Sequence, residues 1–258
     1  MDRGGATVDI ETTDFGGVAW ITLDHPGKLN AMSRRMMSTV TSILRDLQSR
    51  NDLRATVVAG AGDRAFIGGA YVPDLHALNA DTCRTFIRDL HDVHQALRSL
   101  AVPVIAAVHG YCIGAGMELA AACDFRLADR SATIGMPEVK VGMPSVIEAE
   151  LLPRLIGWGK AREVMLTGGR YDAQSAYDMG FFQAVCSVGD LESVVRTKLS
   201  QILEAAPEAV RAQKKLLNAW DDMHHQSGLE LGIDMLSEAY ATGEPRERLA
   251  RYLSKERS

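Results

Sequence analysis

Apolar residues recur in short runs through the first part of the chain, and glycines and polar residues separate these runs. Each run predicts a strand, because aliphatic and β-branched residues favour strands whereas Gly, Pro, Asn and Asp favour turns. Two longer stretches repeat apolar residues at helical spacing and predict amphipathic helices, the first with Ser33 as its N-cap. The predicted strands are residues 18–23, 56–59, 103–108 and 124–128, and the predicted helices are residues 32–49 and 81–100.

The pattern changes after about residue 145. Helical spacing then predominates, over residues 147–156, 160–166, 173–179 and 191 to the end, with one short strand at residues 182–186. Alternating strands and helices followed by helices alone predict an α/β fold with an added helical region. We place the core at residues 1–195 and the helical C-terminal region at residues 196–258.

The composition is that of an ordinary globular protein. Hydrophobic residues make up 47% of the 258 residues, and the formal net charge of −5 offers no basic footprint for a nucleic acid. No apolar run is long enough to span a membrane, and the N-terminal residues lack the apolar segment of a signal peptide. The four cysteines form no C-x-x-C pair and are predicted to be buried thiols in a reducing compartment. We therefore expect a cytoplasmic protein with no nucleic-acid or membrane partner.

Residues 101–123, AVPVIAAVHGYCIGAGMELAAAC, contain one charged side chain, Glu118, and one histidine, His109. A strand enters this stretch, glycines form a turn, and a helix of small residues leaves, which places Glu118 in the first helical turn. The start of a helix presents unpaired N–H groups and the positive end of its dipole. Burial among apolar residues raises the pKa of a carboxyl group and suits it to proton transfer near neutral pH. The alternative is an exposed acid that only complements the helix dipole.

Two further loops follow predicted strands. Residues 64–70 contain Gly68 and Gly69, and residues 134–138 end in Pro137 and Glu138. Amides from the loop at residues 64–70 and from the glycine-rich turn at residues 110–116 could together hold one oxyanion, although most glycine-rich turns are only turns. Glu138 follows Glu118 by 20 residues with one strand between them, so neighbouring strands or loops could bring the two carboxylates together.

Motifs for other chemistries do not occur. The sequence has no phosphate-binding G-x-x-x-x-G-K-[ST], no dinucleotide G-x-G-x-x-G and no G-x-S-x-G nucleophile motif. His91 and His94 lie three residues apart in a predicted helix, where a solvated face is favoured over a metal site because no third ligand is evident. The same holds for the pair His224 and His225. We predict no metal site.

Four blocks of the sequence, which include the segments around Gly68, Glu118 and Glu138, resemble in order those of the crotonase (enoyl-CoA hydratase/isomerase) superfamily. The blocks are residues 21–32, 65–70, 109–119 and 137–138, the last followed by residues 166–170 and 173–176. The resemblance implies a spiral of ββα units with a helical C-terminal trimerisation region, and a homotrimer or a homohexamer built as a dimer of trimers. It also implies an enzyme that stabilises the enolate of an acyl-CoA thioester.

The same resemblance assigns roles to individual residues. The backbone amides of Ala70 and Ala115 would form the oxyanion hole, and Glu118 and Glu138 would act as the base towards water and as the acid towards the α-carbon. Lys28, Leu29 and Ala31 match a stretch that lines the adenine-nucleotide end of coenzyme A. The implied coenzyme A contacts in full are Lys28, Leu29, Ala31, Gly68, Gly69, Ala70, Tyr71, Val72 and Gly114, with Tyr252 and Lys255 reaching a neighbouring subunit's ligand. Coenzyme A is then part of the substrate, and no other cofactor is expected.

Two departures from the family pattern bear on the reaction. Tyr71 stands where an acid is usual, with Asp74 further on, and residues 141–150 are poor in the glycine that is common after the second glutamate. In this segment Glu148 and Glu150 are expected to be surface acids on a helix, although Glu148 could approach the pocket. Hydration of 2-enoyl-CoA is the favoured activity. Double-bond isomerisation, decarboxylation, C–C hydrolysis and thioester hydrolysis remain alternatives, and a non-catalytic or RNA-binding role is a third hypothesis.

Overall fold

The computed structural model describes residues 4–222. Six strands form the larger sheet: β1 (Gly5–Thr13), β2 (Gly16–Asp24), β3 (Leu53–Gly60), β5 (Val104–Val108), β7 (Phe125–Asp129) and β10 (Ala184–Cys186), in the order β1-β2-β3-β5-β7-β10. Only β1 and β2 pair antiparallel within this sheet, and the other neighbours are parallel. Parallel strands need crossover connections, which the intervening helices supply.

A second sheet has four short strands, β4 (Ala65–Ile67), β6 (Tyr111–Ile113), β8 (Thr133–Gly135) and β9 (Arg170–Asp172), in the order β4-β6-β8-β9. The pairs β4–β6 and β6–β8 are parallel, whereas β8–β9 is antiparallel. Along the chain, β3 is followed by β4, β5 by β6 and β7 by β8. Each turn of the chain therefore adds one strand to each sheet, which is the predicted spiral of ββα units.

The helices connect and cover these sheets. They are α1 (Arg34–Gln48), α2 (Val72–His76), α3 (Thr82–Arg98), α4 (Ala115–Ala122), α5 (Leu152–Thr167), α6 (Ala173–Asp178), α7 (Leu191–Glu204) and α8 (Pro207–Asp222). Three 3-10 helices lie at Pro26–Lys28, Glu138–Val141 and Ile147–Leu151. No helix in residues 4–222 is long and apolar enough to cross a membrane.

The larger sheet is buried on both faces, so neighbouring positions in its strands belong to different cores. One core combines Ala19, Ile21 and Leu23 of β2 with apolar residues of α1, α3 and α4. The other face carries Val18 and Val57 of β2 and β3, and α7 covers it. This double burial accounts for the continuous apolar runs of the central strands, which are typical of parallel sheets.

Most of the predicted elements occur where the sequence places them. Ser33 caps α1 by accepting a hydrogen bond from the Met36 amide at 3.2 Å. The sequence does not predict β1, β8 or β9, and it predicts a loop and a turn where β4 and β6 form. Three-residue strands are too short to show a period. The single helix predicted at residues 147–156 is divided in the structure, because a 3-10 helix ends at Leu151 and α5 begins at Leu152.

The helical part of the chain is continuous with the core as far as the structure describes it. Position 195 lies within α7, and Val195 and Leu199 pack on the same sheet. Lys214 of α8 donates to the Val102 carbonyl at 2.9 Å and to Asp124 at 2.7 Å, and only 5% of its surface is exposed. Residues 223–258, which include His224, His225, Tyr252 and Lys255, lie outside the described residues.

Candidate active site

Three neighbouring parallel strands of the smaller sheet end at one edge, and a site residue follows each. Ala70 comes three residues after the end of β4, Ala115 two residues after the end of β6, and Glu138 three residues after the end of β8. Because β4, β6 and β8 are adjacent in the sheet, the residues that follow them emerge side by side. The predicted convergence of separate loops is therefore present.

Glycine allows the first two loops to touch. A Cβ on Gly116 would overlap the carbonyl oxygen of Ile67, so the start of α4 packs directly on the end of β4. A Cβ on Gly69, where φ is +117°, would lie 3.5 Å from the Ile113 carbonyl. A side chain at Gly116 would force the two loops apart, because it would meet the backbone of Ile67, which cannot move aside as a flexible side chain can.

The amides of Ala70 and Ala115 remain available at this contact. Within residues 4–222 neither amide donates a hydrogen bond to another group of the protein. Ala115 is the first residue of α4, where main-chain N–H groups have no partner in the helix and the helix dipole is positive. Both residues line one cavity of about 420 Å³. The arrangement can therefore offer two donors to an oxygen atom in that cavity.

The rest of the cavity divides into a polar and an apolar part. Glu118 and Glu138 both line it, as do the cationic side chains Lys140 and Arg170. The apolar residues come from the helices and from the segment after Glu138: Val72, Leu75, Phe86, Ile87, Leu90, Ile113, Val141, Met143, Pro144 and Val146. The sequence predicts that the glutamates and the segment after Glu138 border this cavity, but it does not predict the lining residues from α3. The apolar stripe of that helix was the available signal.

Glu118 is almost completely buried, with 5% of its surface exposed. Burial raises the pKa of its carboxyl group well above the usual value, and the negative charges of Glu138 and Glu148 raise it further. The nearby Ala149 amide, which donates to the Val146 carbonyl at 3.0 Å, acts in the opposite direction. The alternative of an exposed helix-start acid is therefore wrong, and Glu118 is a carboxyl group suited to exchange a proton near neutral pH.

Glu138 begins the 3-10 helix Glu138–Val141 and is half-buried. Its Oε2 atom accepts a hydrogen bond from the Ser145 hydroxyl at 2.9 Å. Its Oε1 atom lies over Gly114, so close that a Cβ there would overlap it. Ser145 and Gly114 thus fix the direction of this carboxylate, and neither contact could be predicted from the spacing of the glutamates.

The segment expected to meet the nucleotide end of coenzyme A is joined to the first loop by main-chain hydrogen bonds. The Gly68 amide donates to Leu29, the Met32 amide to Gly69 and the Tyr71 amide to Met32, at 2.7, 2.9 and 3.0 Å. Of the predicted contacts, Gly68, Gly69, Ala70, Val72 and Gly114 line the cavity. Lys28, Leu29, Ala31 and Tyr71 are not among its lining residues, and Lys28 is exposed.

The expectation that Glu148 is a surface acid is wrong. Its exposed fraction is 4%, and its two carboxylate oxygens meet the Nδ1 atoms of His91 and His94, each at 2.7 Å. His94 is fully buried, so the solvated face proposed for this histidine pair is also wrong. Each imidazole pairs with a separate oxygen, and no metal-holding group of three such side chains occurs in residues 4–222. Glu150 is exposed, as predicted.

Comparison with known proteins agrees with this fold. A family model described as enoyl-CoA hydratase/isomerase matches residues 13–258. The chain is 27% identical over 241 residues to the short-chain-enoyl-CoA hydratase of Clostridium acetobutylicum, covering 93% of this chain and 92% of that protein. It is 30% identical over 213 residues to the (E)-benzylidenesuccinyl-CoA hydratase of Thauera aromatica, covering 82% and 83%.

A solved structure extends the comparison to three dimensions. The crystal structure of an enoyl-CoA hydratase from Bacillus anthracis matches with a TM-score of 0.90 and 28% identity, covering 96% of each chain. The fold and its matches define an enzyme of the crotonase superfamily. The chain belongs to the enoyl-CoA hydratase/isomerase family.

Proposed function

We propose that this enzyme hydrates 2-enoyl-CoA thioesters to 3-hydroxyacyl-CoA. The observation that carries the proposal is the meeting of Glu118 and Glu138 in one cavity with the unpaired amides of Ala70 and Ala115. Hydration needs a group that takes a proton from water, a group that delivers one to carbon, and donors for the enolate oxygen. The cavity contains residues for all three tasks.

The two amides would act on the thioester carbonyl. As negative charge develops on its oxygen, hydrogen bonds from Ala70 and Ala115 strengthen, and the dipole at the start of α4 adds to them. Removal of one such donor typically costs ~3 kcal/mol of transition-state stabilisation. This polarisation makes the β-carbon of the enoyl group electrophilic.

The two carboxyl groups would then divide the proton transfers. One proton is shared between the two carboxyl groups before the reaction: Glu118 takes a proton from water as the water oxygen bonds to the β-carbon, and Glu138 delivers the shared proton to the α-carbon. The C=C double bond is thereby replaced by C–O and C–H bonds, and one water is consumed. After the reaction, transfer of the proton from Glu118 back to Glu138 restores the starting state. The raised pKa of Glu118 makes its ionised carboxylate a stronger base than that of an exposed glutamate.

Substrate binding would use the segment beside the first loop. Lys28, Leu29 and Ala31 would contact the nucleotide of coenzyme A, while Gly68, Gly69, Tyr71, Val72 and Gly114 would contact the part nearer the thioester. Tyr252 and Lys255 would reach coenzyme A in a neighbouring subunit of a homotrimer or homohexamer. Coenzyme A enters as part of the substrate, and no further cofactor is required. The four cysteines are free thiols, which supports a reducing compartment.

The experiment is to incubate the purified protein with crotonyl-CoA and longer 2-enoyl-CoAs. We expect the ultraviolet absorbance of the conjugated thioester to fall as water adds. Glu118→Gln and Glu138→Gln should each lower kcat at least a hundredfold, whereas Glu150→Gln, which removes an exposed acid nearby, should leave kcat unchanged. Absence of any absorbance change with the wild-type protein would refute hydration.

The same variants separate hydration from double-bond isomerisation, which can work with one base. Incubation with 3-enoyl-CoA thioesters would then increase the absorbance of the conjugated product. If Glu118→Ala retains most of this activity while Glu138→Ala loses it, the chain is an isomerase. Loss of hydration with either change supports the proposal.

A further inference from the structure

Two cationic side chains, Lys140 and Arg170, line the cavity that contains Glu118 and Glu138, and the proposed reaction does not use them. Both are exposed, so they lie where the cavity meets solvent. Within residues 4–222 neither forms an ion pair with an acidic side chain. Their charges therefore do not serve to neutralise the two glutamates of the site, and they are available to a ligand.

The aliphatic parts of these two side chains rest on glycines. A Cβ at Gly135 would lie 3.5 Å from the Cγ atom of Arg170, and a Cβ at Gly168 would lie 3.0 Å from the Cε atom of Lys140. Gly168 precedes Arg170 by two residues, and Gly135 precedes Glu138 by three. The two cations therefore lie at the same turn, between α5 and β9, next to the strand that leads to Glu138.

An aromatic ring holds the guanidinium group of Arg170. The group lies over the ring of Tyr111, 5.6 Å from the ring centre. Stacking of this kind fixes the position of a guanidinium group while its N–H groups remain able to donate. A guanidinium binds a carboxylate through two parallel hydrogen bonds, and an ammonium group such as that of Lys140 adds a second positive charge. The pair is thus suited to a carboxylate.

The order of the strands separates these cations from the proposed nucleotide segment. The smaller sheet runs β4-β6-β8-β9, and Ala70, Ala115 and Glu138 follow the first three strands, whereas Arg170 begins the fourth. Residues 28–31 are hydrogen-bonded to the loop after β4. A thioester with its coenzyme A on the β4 side and its carbonyl held by Ala70 and Ala115 therefore extends its acyl chain towards β9, which lies two strand spacings, about 10 Å, from β6.

The charges of the cavity bear on which acyl chains can enter it. Glu118 and Glu138 repel an anionic chain, and a charge that leaves water needs a partner of opposite charge. Lys140 and Arg170 supply that partner at the far end of the chain. Apolar side chains of the same cavity, including Val141, contact the carbon skeleton between the thioester and this end. The cavity therefore fits a chain that is apolar in its middle and anionic at its end.

We propose that Lys140 and Arg170 bind a carboxylate at the far end of the acyl chain, so that the substrates are 2-enoyl-CoA thioesters of dicarboxylic acids. This inference rests on the proposed function, because it names the substrate class of the same site. The chemical step is unchanged: water adds across the double bond, and the second carboxylate forms no covalent bond and keeps its charge. Lys140 and Arg170 are thus specificity-determining residues.

The test compares glutaconyl-CoA, a 2-enoyl-CoA that ends in a carboxylate, with 2-hexenoyl-CoA, which ends in an alkyl group. The quantity measured is the ratio of kcat/KM for glutaconyl-CoA to kcat/KM for 2-hexenoyl-CoA. This ratio cancels any loss that both substrates share, such as partial misfolding of a variant. We expect the wild type to favour glutaconyl-CoA, and Arg170→Gln and Lys140→Gln each to lower the ratio at least tenfold through loss of a hydrogen bond to a charged group.

Arg162→Gln is the matched control. Arg162 is also exposed and stacks on an aromatic ring, that of Trp158 at 5.3 Å, but it does not line the cavity. Its removal should leave the ratio unchanged. Equal decreases in Arg162→Gln and Arg170→Gln would overturn the proposal, because they would indicate only long-range charge. An equal rise in KM for both thioesters in Arg170→Gln would also overturn it, since Arg170 would then bind coenzyme A.

A binding measurement separates failure of this inference from failure of the proposed function. Glutaryl-CoA and hexanoyl-CoA are saturated and cannot be hydrated, so titration calorimetry gives their dissociation constants without a reaction. Tighter binding of glutaryl-CoA by the wild type, lost in Arg170→Gln, would support the carboxylate site even if the protein hydrates no enoyl-CoA. Equal affinities, or tighter binding of hexanoyl-CoA, would show that the two cations are only solvated charges and would reject the site even if 2-hexenoyl-CoA is hydrated.

Discussion

The Oε1 atom of Glu138 lies over the bare Cα of Gly114, in the space that any side chain at residue 114 would occupy. Gly114 also has φ of +54° and ψ of −120°, a combination that residues with a Cβ avoid. It immediately precedes Ala115, which lines the same cavity. One glycine therefore lies against both Glu138 and the proposed oxyanion site.

Gly114→Ala should damage activity more than stability. The new methyl group displaces the Glu138 carboxylate and tilts the start of α4, so we expect kcat to fall at least a hundredfold. The unfolding free energy should fall by about 1–3 kcal/mol from backbone strain. Steady-state kinetics and urea denaturation measure the two effects.

The matched control is Gly189→Ala. Gly189 also has positive φ, +96°, but a Cβ there meets nothing within 4 Å. Gly189→Ala should lower the unfolding free energy through backbone strain but keep the kcat of the wild type. If Gly114→Ala keeps wild-type kcat, Glu138 is not held in the position that the proposed reaction requires.

Glu118→Gln should make the protein more stable at neutral pH while it abolishes hydration. The folded state raises the pKa of Glu118 above its ordinary 4.5, so folding favours the protonated form and stability is lost as the pH rises towards the folded pKa. In that interval the wild type should lose up to about 1.4 kcal/mol per pH unit relative to the variant. Thermal or urea unfolding from pH 4 upwards measures the difference.

Glu150→Gln provides the comparison, because its exposed carboxylate is not buried by folding. Its unfolding curves should follow those of the wild type across the same pH range. A Glu118→Gln protein whose stability advantage did not grow with pH would contradict the burial of an ionisable group at residue 118.

Asn30→Ala should weaken both the fold and substrate binding. Asn30 is fully buried with φ of +53°; its side chain accepts from the His25 amide at 2.9 Å and donates to the Ala61 and Ala65 carbonyls at 2.9 and 2.8 Å. Loss of these partners should cost ~2–4 kcal/mol of unfolding free energy, since three backbone groups lose hydrogen bonds. The KM for an acyl-CoA should rise, because residues 28–31 are its proposed nucleotide contacts.

Asn218→Ala is a suitable control for this variant. Asn218 makes one side-chain hydrogen bond, to the Arg98 carbonyl at 3.0 Å, away from residues 28–31. We expect it to cost about 1 kcal/mol or less and to leave KM unchanged. Equal KM values in Asn30→Ala and wild type would argue against the nucleotide site.

Ser145→Ala should have a smaller and more specific effect. Its hydroxyl donates to Glu138 at 2.9 Å, and its removal leaves the acid less well oriented. We expect a decrease in kcat of about tenfold with little change in KM, consistent with one hydrogen bond to a charged group. Ser200→Ala, in an exposed turn of α7, should be silent. A decrease in binding rather than in kcat would place Ser145 in substrate recognition instead.

The sequence predicted this site better where the contacts are local. The residues around Glu118 correctly indicated the strand before the glycines and the helix after them but not β6 between them, and the apolar neighbours of Glu118 correctly indicated its burial. The contacts of Glu148 with His94 and His91 join residues that are 54 and 57 positions apart, and no local period indicates such contacts. One clue was available: His94 falls between Leu90 and Leu97 on the apolar stripe of α3, where a solvated residue would not be expected.

The same distinction applies to the strands. Residues Ala6–Glu11 of β1 alternate partly buried and exposed positions, a local signal that was available for a strand, and the antiparallel pairing with β2 sets its register. Strands β4, β6 and β8 have three residues each, and their existence depends on pairing with one another. Their sequences could indicate the glycine bends that follow but not the sheet itself.

The smaller sheet sets the spacing of three residues of the candidate site. Ala70, Ala115 and Glu138 each follow a separate one of three adjacent strands, and hydrogen-bonded strands lie about 4.8 Å apart in any sheet. The separation of the reacting groups is thus set by main-chain pairing, which no single side chain controls. Evolution can exchange the residues around the acyl chain, and with them the choice of substrate, while the distance between oxyanion and acid stays the same.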